Sequence, residues 1–238
     1  MPRPSTFVLA LSIACFIPQM VLAAWLIPAG LNPGDKFRVA FVTSARTLAT
    51  SPDIAYYNTF VNDAANVNGG LSSQIHSLTG GSVSWKAIAS TVQADAINNI
   101  QTTIDSKIYS TQGNLISTSM FLMFARDGAG LLSPINFDES GAIGNFTVWT
   151  GTTFDGSAGG RGAVALGATS SAIIGQSDRS DRAWIHEAQT TFEYRHHLYG
   201  ISSEITVPTA VPEPSSMALF ASLAGMFGLG LRRFRRKT

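Results

Sequence analysis

The chain has 238 residues, of which 45% are hydrophobic and 13% charged, and its formal net charge is +1. That length suits one domain with a substantial core, and so even a charge balance offers no basic face for nucleic acid. A single cysteine excludes a disulfide framework.

The chain opens with Arg3 near the amino terminus and an apolar run over Phe7–Leu22. Val21-Leu22-Ala23 is a small-residue cleavage site, so residues 1–23 read as a signal peptide cut between Ala23 and Ala24. Pro18 and Gln19 interrupt the run and argue against a persistent membrane helix. Cys15 lies inside it, and Ser12 stands where a lipoprotein box wants a large apolar residue. The mature chain is therefore expected to carry no thiol and to rest on core burial alone.

Within the mature chain, Phe37–Thr43 alternates as a strand does. Ser51-Pro52-Asp53 reads as a helix start, with Ser51 capping, Pro52 in the first position and Asp53 in the first turn. Ile54, Tyr57, Val61, Ala64 and Ala65 then share one helical face, and Asn68-Gly69-Gly70 ends the helix. Val83–Ala89 reads as a strand anchored by Trp85, and Val92–Ile100 as a second, weaker helix with Ala94, Ile97 and Ile100 inward. Lys107–Ser110 and Leu115–Ser117 flank a Gly/Asn turn and predict a hairpin. Met120–Phe124 is apolar but carries no periodicity that decides its state.

Phe146–Thr150 predicts a strand, and Gly151 to about Arg182 a long Gly/Ser/Asp-rich loop. Ala183–His186 and Phe192–Ile201 read as closing strands, followed by a linker over Thr206–Val211. The expected class is α+β, with two helices and looped antiparallel strands.

No catalytic constellation stands out, so the protein is expected to be non-enzymatic, with no cofactor and no metal. His186-Glu187 lacks the second histidine of a zinc-protease helix, because Thr190 occupies that position. His196 and His197 are adjacent, so on a strand they face opposite sides. Asp155, Asp178 and Asp181 are too dispersed for a compact calcium loop. Asn145-Phe146-Thr147 fits the glycan-acceptor pattern, a short match expected by chance. Trp149 and Trp184 sit in apolar strand contexts and read as core residues, with sugar stacking as the alternative.

The last stretch is in three parts: Val211-Pro212-Glu213-Pro214, an apolar run over Met217–Leu231, and a cluster of Arg232, Arg233, Arg235, Arg236 and Lys237. The prolines hold the first part extended. As a helix at ~1.5 Å per residue the apolar run falls short of a ~30 Å hydrocarbon core, a mismatch that flanking cations and bilayer thinning absorb. The basic cluster is expected to stay cytoplasmic. This order resembles the PEP-CTERM sorting signal of Gram-negative bacteria. The resemblance implies an exosortase as partner and cleavage near Pro212-Glu213-Pro214, after transient insertion in the inner membrane. It also implies display at the cell surface or in the extracellular matrix, while the signal peptide calls for general secretion machinery and signal peptidase at the front end.

Other pieces resemble the C-type-lectin-like group, in its endostatin-like and bacterial branches: Phe41-Val42-Thr43-Ser44, the first helix, Trp85–Ile88, Val148–Thr152, Trp184-Ile185 and Leu198–Ser202. That resemblance implies a fold whose terminal strands pair. The sugar-binding motifs of calcium-dependent members are absent, so no site is carried over. The expected division is residues 1–23 signal peptide, 24–206 domain, 207–216 linker with the Pro-Glu-Pro element, 217–231 transmembrane helix and 232–238 basic tail. The leading expectation is an exosortase-sorted surface or matrix protein. The alternatives are a carbohydrate-binding module for exopolysaccharide and a secreted hydrolase pairing His186 with Asp178 or Asp181.

Overall fold

The strand expected over Phe37–Thr43 is the centre of the structure. A computed structural model describes residues 27–67, 69–100, 106–124 and 130–209. Its strands are β1 (Lys36–Val42), β2 (Trp85–Ala87), β3 (Lys107–Ser110), β4 (Leu115–Ser117), β5 (Thr147–Trp149), β6 (Ser171–Gln176), β7 (Ala188–Thr191), β8 (Tyr199–Ser202) and β9 (Ile205–Thr206). Its helices are α1 (Ile54–Asn66), α2 (Leu71–Thr79), α3 (Ala96–Ile100) and α4 (Met120–Met123). The class is α+β. No helix among the described residues is long and apolar enough to cross a membrane. The signal segment and the 217–231 run lie outside the described residues.

β1 is buried on both faces from Phe37 to Val42, and the one charged side chain in that stretch, Arg38, donates to the carbonyl oxygens of Ile100 and Ser202. Phe37, Val39 and Phe41 face α1 and α2 in one core with Tyr57, Val61, Leu71, Ile75 and Trp85. Ala40 and Val42 face a second core with Ile88, Ile108, Ile116, Met120 and Tyr199. Each large side chain so buried contributes about 1.5–3 kcal/mol. The main sheet has six strands in the order β2-β8-β1-β3-β4, with β9 also pairing β1. β8 and β9 run antiparallel to β1, so the first and last strands of the domain are partners. The looped strands were expected antiparallel throughout, but β1 and β3 are parallel, with Phe37 opposite Lys107 and Ala40 opposite Ser110. A second sheet, β5-β6-β7, is antiparallel.

α1 meets its expected face, with Tyr57, Val61, Ala64 and Ala65 buried. Its cap is Asp53 rather than Ser51: the carboxylate accepts from Ala55 N at 2.9 Å, which places Pro52 before the helix. α1 comes close to the sheet because β8 carries Gly200, where an added Cβ would lie 2.5 Å from Val61 Cγ1 and 2.6 Å from Phe41 Cε1.

Several expectations are corrected. There are four α-helices among the described residues, not two. α2 has only Leu71 and Ile75 buried in an otherwise polar segment. The second expected helix begins at Ala96 instead of Val92, because Thr91 Oγ1 accepts from Gln93 N and Ala94 N and turns the chain there. Met120–Met123 is helical, capped by Ser119 Oγ accepting from Leu122 N at 3.2 Å. The supposed loop 151–182 contains β6, the central strand of the second sheet. Arg182–Trp184 is a 3-10 turn and not a strand, because Asp181 accepts from Ala183 N at its start. Of Phe192–Ile201, only the end is strand, in β8. Where a linker was expected, Thr206 pairs with Lys36.

Candidate functional site: the loops at the carboxyl ends of the strands

β1, β2 and β3 point the same way, since β2 and β1 are both antiparallel to β8 and β3 is parallel to β1. The loops after them, 43–53, 88–95 and 111–114, therefore gather at one end. At the other end Gly34 N donates to Val207 O at 2.9 Å and Val207 N donates to Asp35 O at 2.9 Å. The described chain thus begins and ends at one edge, while the loops crown the far end. At ~3.3 Å per residue, β1 separates the two by roughly 20 Å. The second sheet attaches at the loop end, where Trp149 N donates to His197 O at 2.9 Å and His197 N to Thr147 O at 3.2 Å.

His197 is 4% exposed and both of its ring nitrogens are engaged. Nδ1 faces the carbonyl oxygen of Thr43 at 2.5 Å, so it must carry the proton. Nε2 then accepts from Arg46 Nε at 3.0 Å. Burial pushes the imidazole pKa down; the Thr43 carbonyl opposes this, and the nearby Arg46 charge adds to it. A neutral ring with both nitrogens bound is a tie between two loops rather than a proton carrier. Ser44 beside it binds the Glu139 carboxylate through its hydroxyl and, at 2.9 Å, through its backbone N–H. His196 lies across Trp149, with ring centres 4.6 Å apart, and stacks on the half-exposed Tyr194. Burial lowers its pKa first, and the neighbouring His197 and Arg46 lower it further.

The other sequence candidates are not brought together. Trp149 and Trp184 are 0% and 2% exposed, so neither can stack on a sugar. His186 stacks near Phe154 and makes no hydrogen bond with Asp178 or Asp181. Asp178 instead accepts from Asn145 Nδ2 at 2.9 Å, and Asp181 pairs with Arg179. Asp155 is held by its own turn, accepting from Ser157 Oγ at 2.6 Å and Thr153 Oγ1 at 2.5 Å. Those two hydroxyls, Ser157 first, hold its carboxyl below the usual carboxylate range. Among the described residues no three His, Cys, Asp or Glu side chains form a group that could hold a metal ion.

A cleft of about 500 Å³ is lined by Gln93, Asp95, Asn98, Ser157 and Arg161. Its two walls are bonded to each other. Asp95 accepts from Ala158 N at 2.8 Å, Ile97 N donates to Gly156 O at 3.1 Å, and Val92 N to Leu166 O at 3.1 Å. Arg161 sits in the left-handed region with φ 57 and ψ 37, and it is the one non-glycine residue with positive φ among those described. Such a conformation costs a non-glycine residue about 1–3 kcal/mol. Its guanidinium is exposed and makes no hydrogen bond or ion pair among the described residues. The signal in the sequence was a lone arginine inside Gly159-Gly160-Arg161-Gly162.

The structure thus defines an α+β domain whose last strand leads directly into a tail. That tail has a known kind: the family model of the PEP-CTERM protein-sorting motif matches residues 210–236. The motif marks an exported protein, sorted by an exosortase to the cell surface or the extracellular space. No curated protein matches the chain. Val211, Pro212, Glu213 and Pro214, the basic residues Arg232, Arg233, Arg235, Arg236 and Lys237, and the cleavage pair Ala23 and Ala24 all lie outside the described residues.

Proposed function

We propose that the chain is a non-enzymatic surface or matrix protein of a Gram-negative cell. General secretion machinery exports it, and signal peptidase cuts between Ala23 and Ala24. The 217–231 run and the basic tail hold it briefly in the inner membrane. Exosortase then acts near Pro212-Glu213-Pro214 and releases or re-anchors the domain. The observation that carries this reading is the sorting motif over residues 210–236, beginning three residues after Val207, which is still hydrogen-bonded to Asp35 in the sheet. In support of a non-enzymatic role, the loop-end histidine His197 has both nitrogens committed to structural partners. The pairing of β1 with β8 and β9 supports a C-type-lectin-like reading of the domain.

Intact mass and fractionation in the native host test the sorting. With exosortase present, the expected species ends near Pro214 and lies outside the cell. Without exosortase, the expected species keeps residues 217–238 and stays in the membrane fraction. Unchanged processing in the exosortase-deficient strain would overturn the proposal.

A second reading is a carbohydrate-binding module for extracellular polysaccharide. The open, polar cleft beside Arg161 favours it.

A further inference from the structure

We propose that the cleft between the 91–98 segment and the Gly159–Gly162 turn binds an acidic saccharide, with Arg161 holding a sugar carboxylate and Gln93, Asp95 and Asn98 holding neighbouring hydroxyls. This rests on the carbohydrate-binding reading and names its site and ligand class.

Gly160, Arg161 and Gly162 have φ of 56, 57 and 95. Glycine fills the two outer positions, as it does wherever a chain must turn this way. The central position is equally suited to glycine, yet it carries the longest cationic side chain available. A strained arginine in place of an unstrained glycine is explained when the guanidinium has a task that the backbone does not. Among the described residues it has none, since it makes no hydrogen bond or ion pair with them. Arginine differs from lysine in offering a planar fork that matches a carboxylate in two parallel hydrogen bonds.

The rest of the lining sets the ligand class. Asp95 already accepts from Ala158 N at 2.8 Å and from Asn98 Nδ2 at 3.3 Å, which fixes its carboxylate with lone pairs left to accept from sugar hydroxyls. Asn98 and Gln93 supply amide donors and acceptors at the same rim. Closely spaced groups that both give and accept hydrogen bonds suit vicinal hydroxyls. A single free cation among them suits one carboxylate per sugar unit. At about 500 Å³ the cleft has room for two or three sugar rings. Because its walls are cross-bonded, the cleft is formed before any ligand arrives.

The test uses the full chain in detergent micelles, titrated with a galacturonic acid trimer and with the neutral galactose trimer, and read by calorimetry. The acidic trimer is expected to bind at least about tenfold more tightly than the neutral one, a preference that weakens with salt. Arg161→Gly is expected to abolish that preference while keeping or raising the melting temperature, because glycine relieves the strain. Arg161→Lys should retain part of it. Equal binding of the two trimers, or undiminished acidic binding by Arg161→Gly, would overturn the assignment while leaving a carbohydrate-binding domain standing. Binding of neither trimer would sink both readings. Inorganic phosphate competing as well as the acidic trimer would show a simple anion site and overturn the saccharide.

Discussion

His197 shows how one side chain can set the acid sensitivity of the loop end. Its folded pKa is depressed, chiefly by burial. Above about pH 6.5 the imidazole is neutral in both the folded and unfolded chain, and its contribution to stability is complete. As pH falls below that value, the unfolded chain takes a proton that the folded chain refuses, and stability is lost until the folded pKa is reached. Urea unfolding at a series of pH values should show this decline. His197→Leu should reduce the slope and lower stability at neutral pH by about 1–3 kcal/mol, because the buried Thr43 carbonyl loses its donor. A residual slope from His196, also depressed, is expected. Parallel pH profiles for wild type and variant would refute the assignment. At this scale the sequence was a fair guide to burial: Trp149 and Trp184 read as core and are core. It was silent on Arg161, since a strained φ is a property of the folded backbone and glycine-rich composition reads first as a flexible loop.

Edge protection operates at the level of the element. β2 is an end strand of the main sheet and would otherwise offer its free side to another chain. Asn58 on α1 and Asn99 on α3 close it. Asn58 Oδ1 accepts from Ala87 N at 2.8 Å, Asn99 Nδ2 donates to Ala87 O at 2.8 Å, and the two amides exchange hydrogen bonds at 2.9 Å in both directions. Each is then a partner both to the strand and to the other. Asn58→Ala and Asn99→Ala should each cost about 1–3 kcal/mol in urea unfolding, and the double variant should cost clearly less than their sum. Strict additivity would mean the two amides act separately. Helix α1 was legible because five apolar residues recur at helical spacing. α2 was not, because two buried residues in nine give no stripe, and its stability comes from the core that Leu71 and Ile75 meet. β6 was hidden by the glycine, serine and aspartate around it, although Ala-Ile-Ile at its centre is strand-like in isolation.

For the molecule as a whole, sorting and the pairing of the terminal strands were legible and the parallel register was not. The tail's signal is contiguous, and its chemistry is read in order by an enzyme. The parallel pairing of β1 with β3 joins residues about seventy positions apart, with Phe37 opposite Lys107. No local spacing encodes such a register, which depends on what the intervening helices bury. The α+β class survives this loss, because it needs only the kinds of element present.

The meeting of Gly34 with Val207 has a mechanical consequence for a tethered protein. β8 and β9 lie along β1 and lead straight into the tail, so tension between the tail and the loop end runs parallel to these strands. It loads their hydrogen bonds together, in shear. Tension between residues 27 and 209 acts at one edge instead and opens the β1–β9 pair a bond at a time, starting at Lys36 and Thr206. Single-molecule pulling should therefore give a higher rupture force with handles at 46 and 209 than with handles at 27 and 209, and equal forces would contradict this geometry. A domain loaded through its loop end and held by its tail meets drag in its stronger direction.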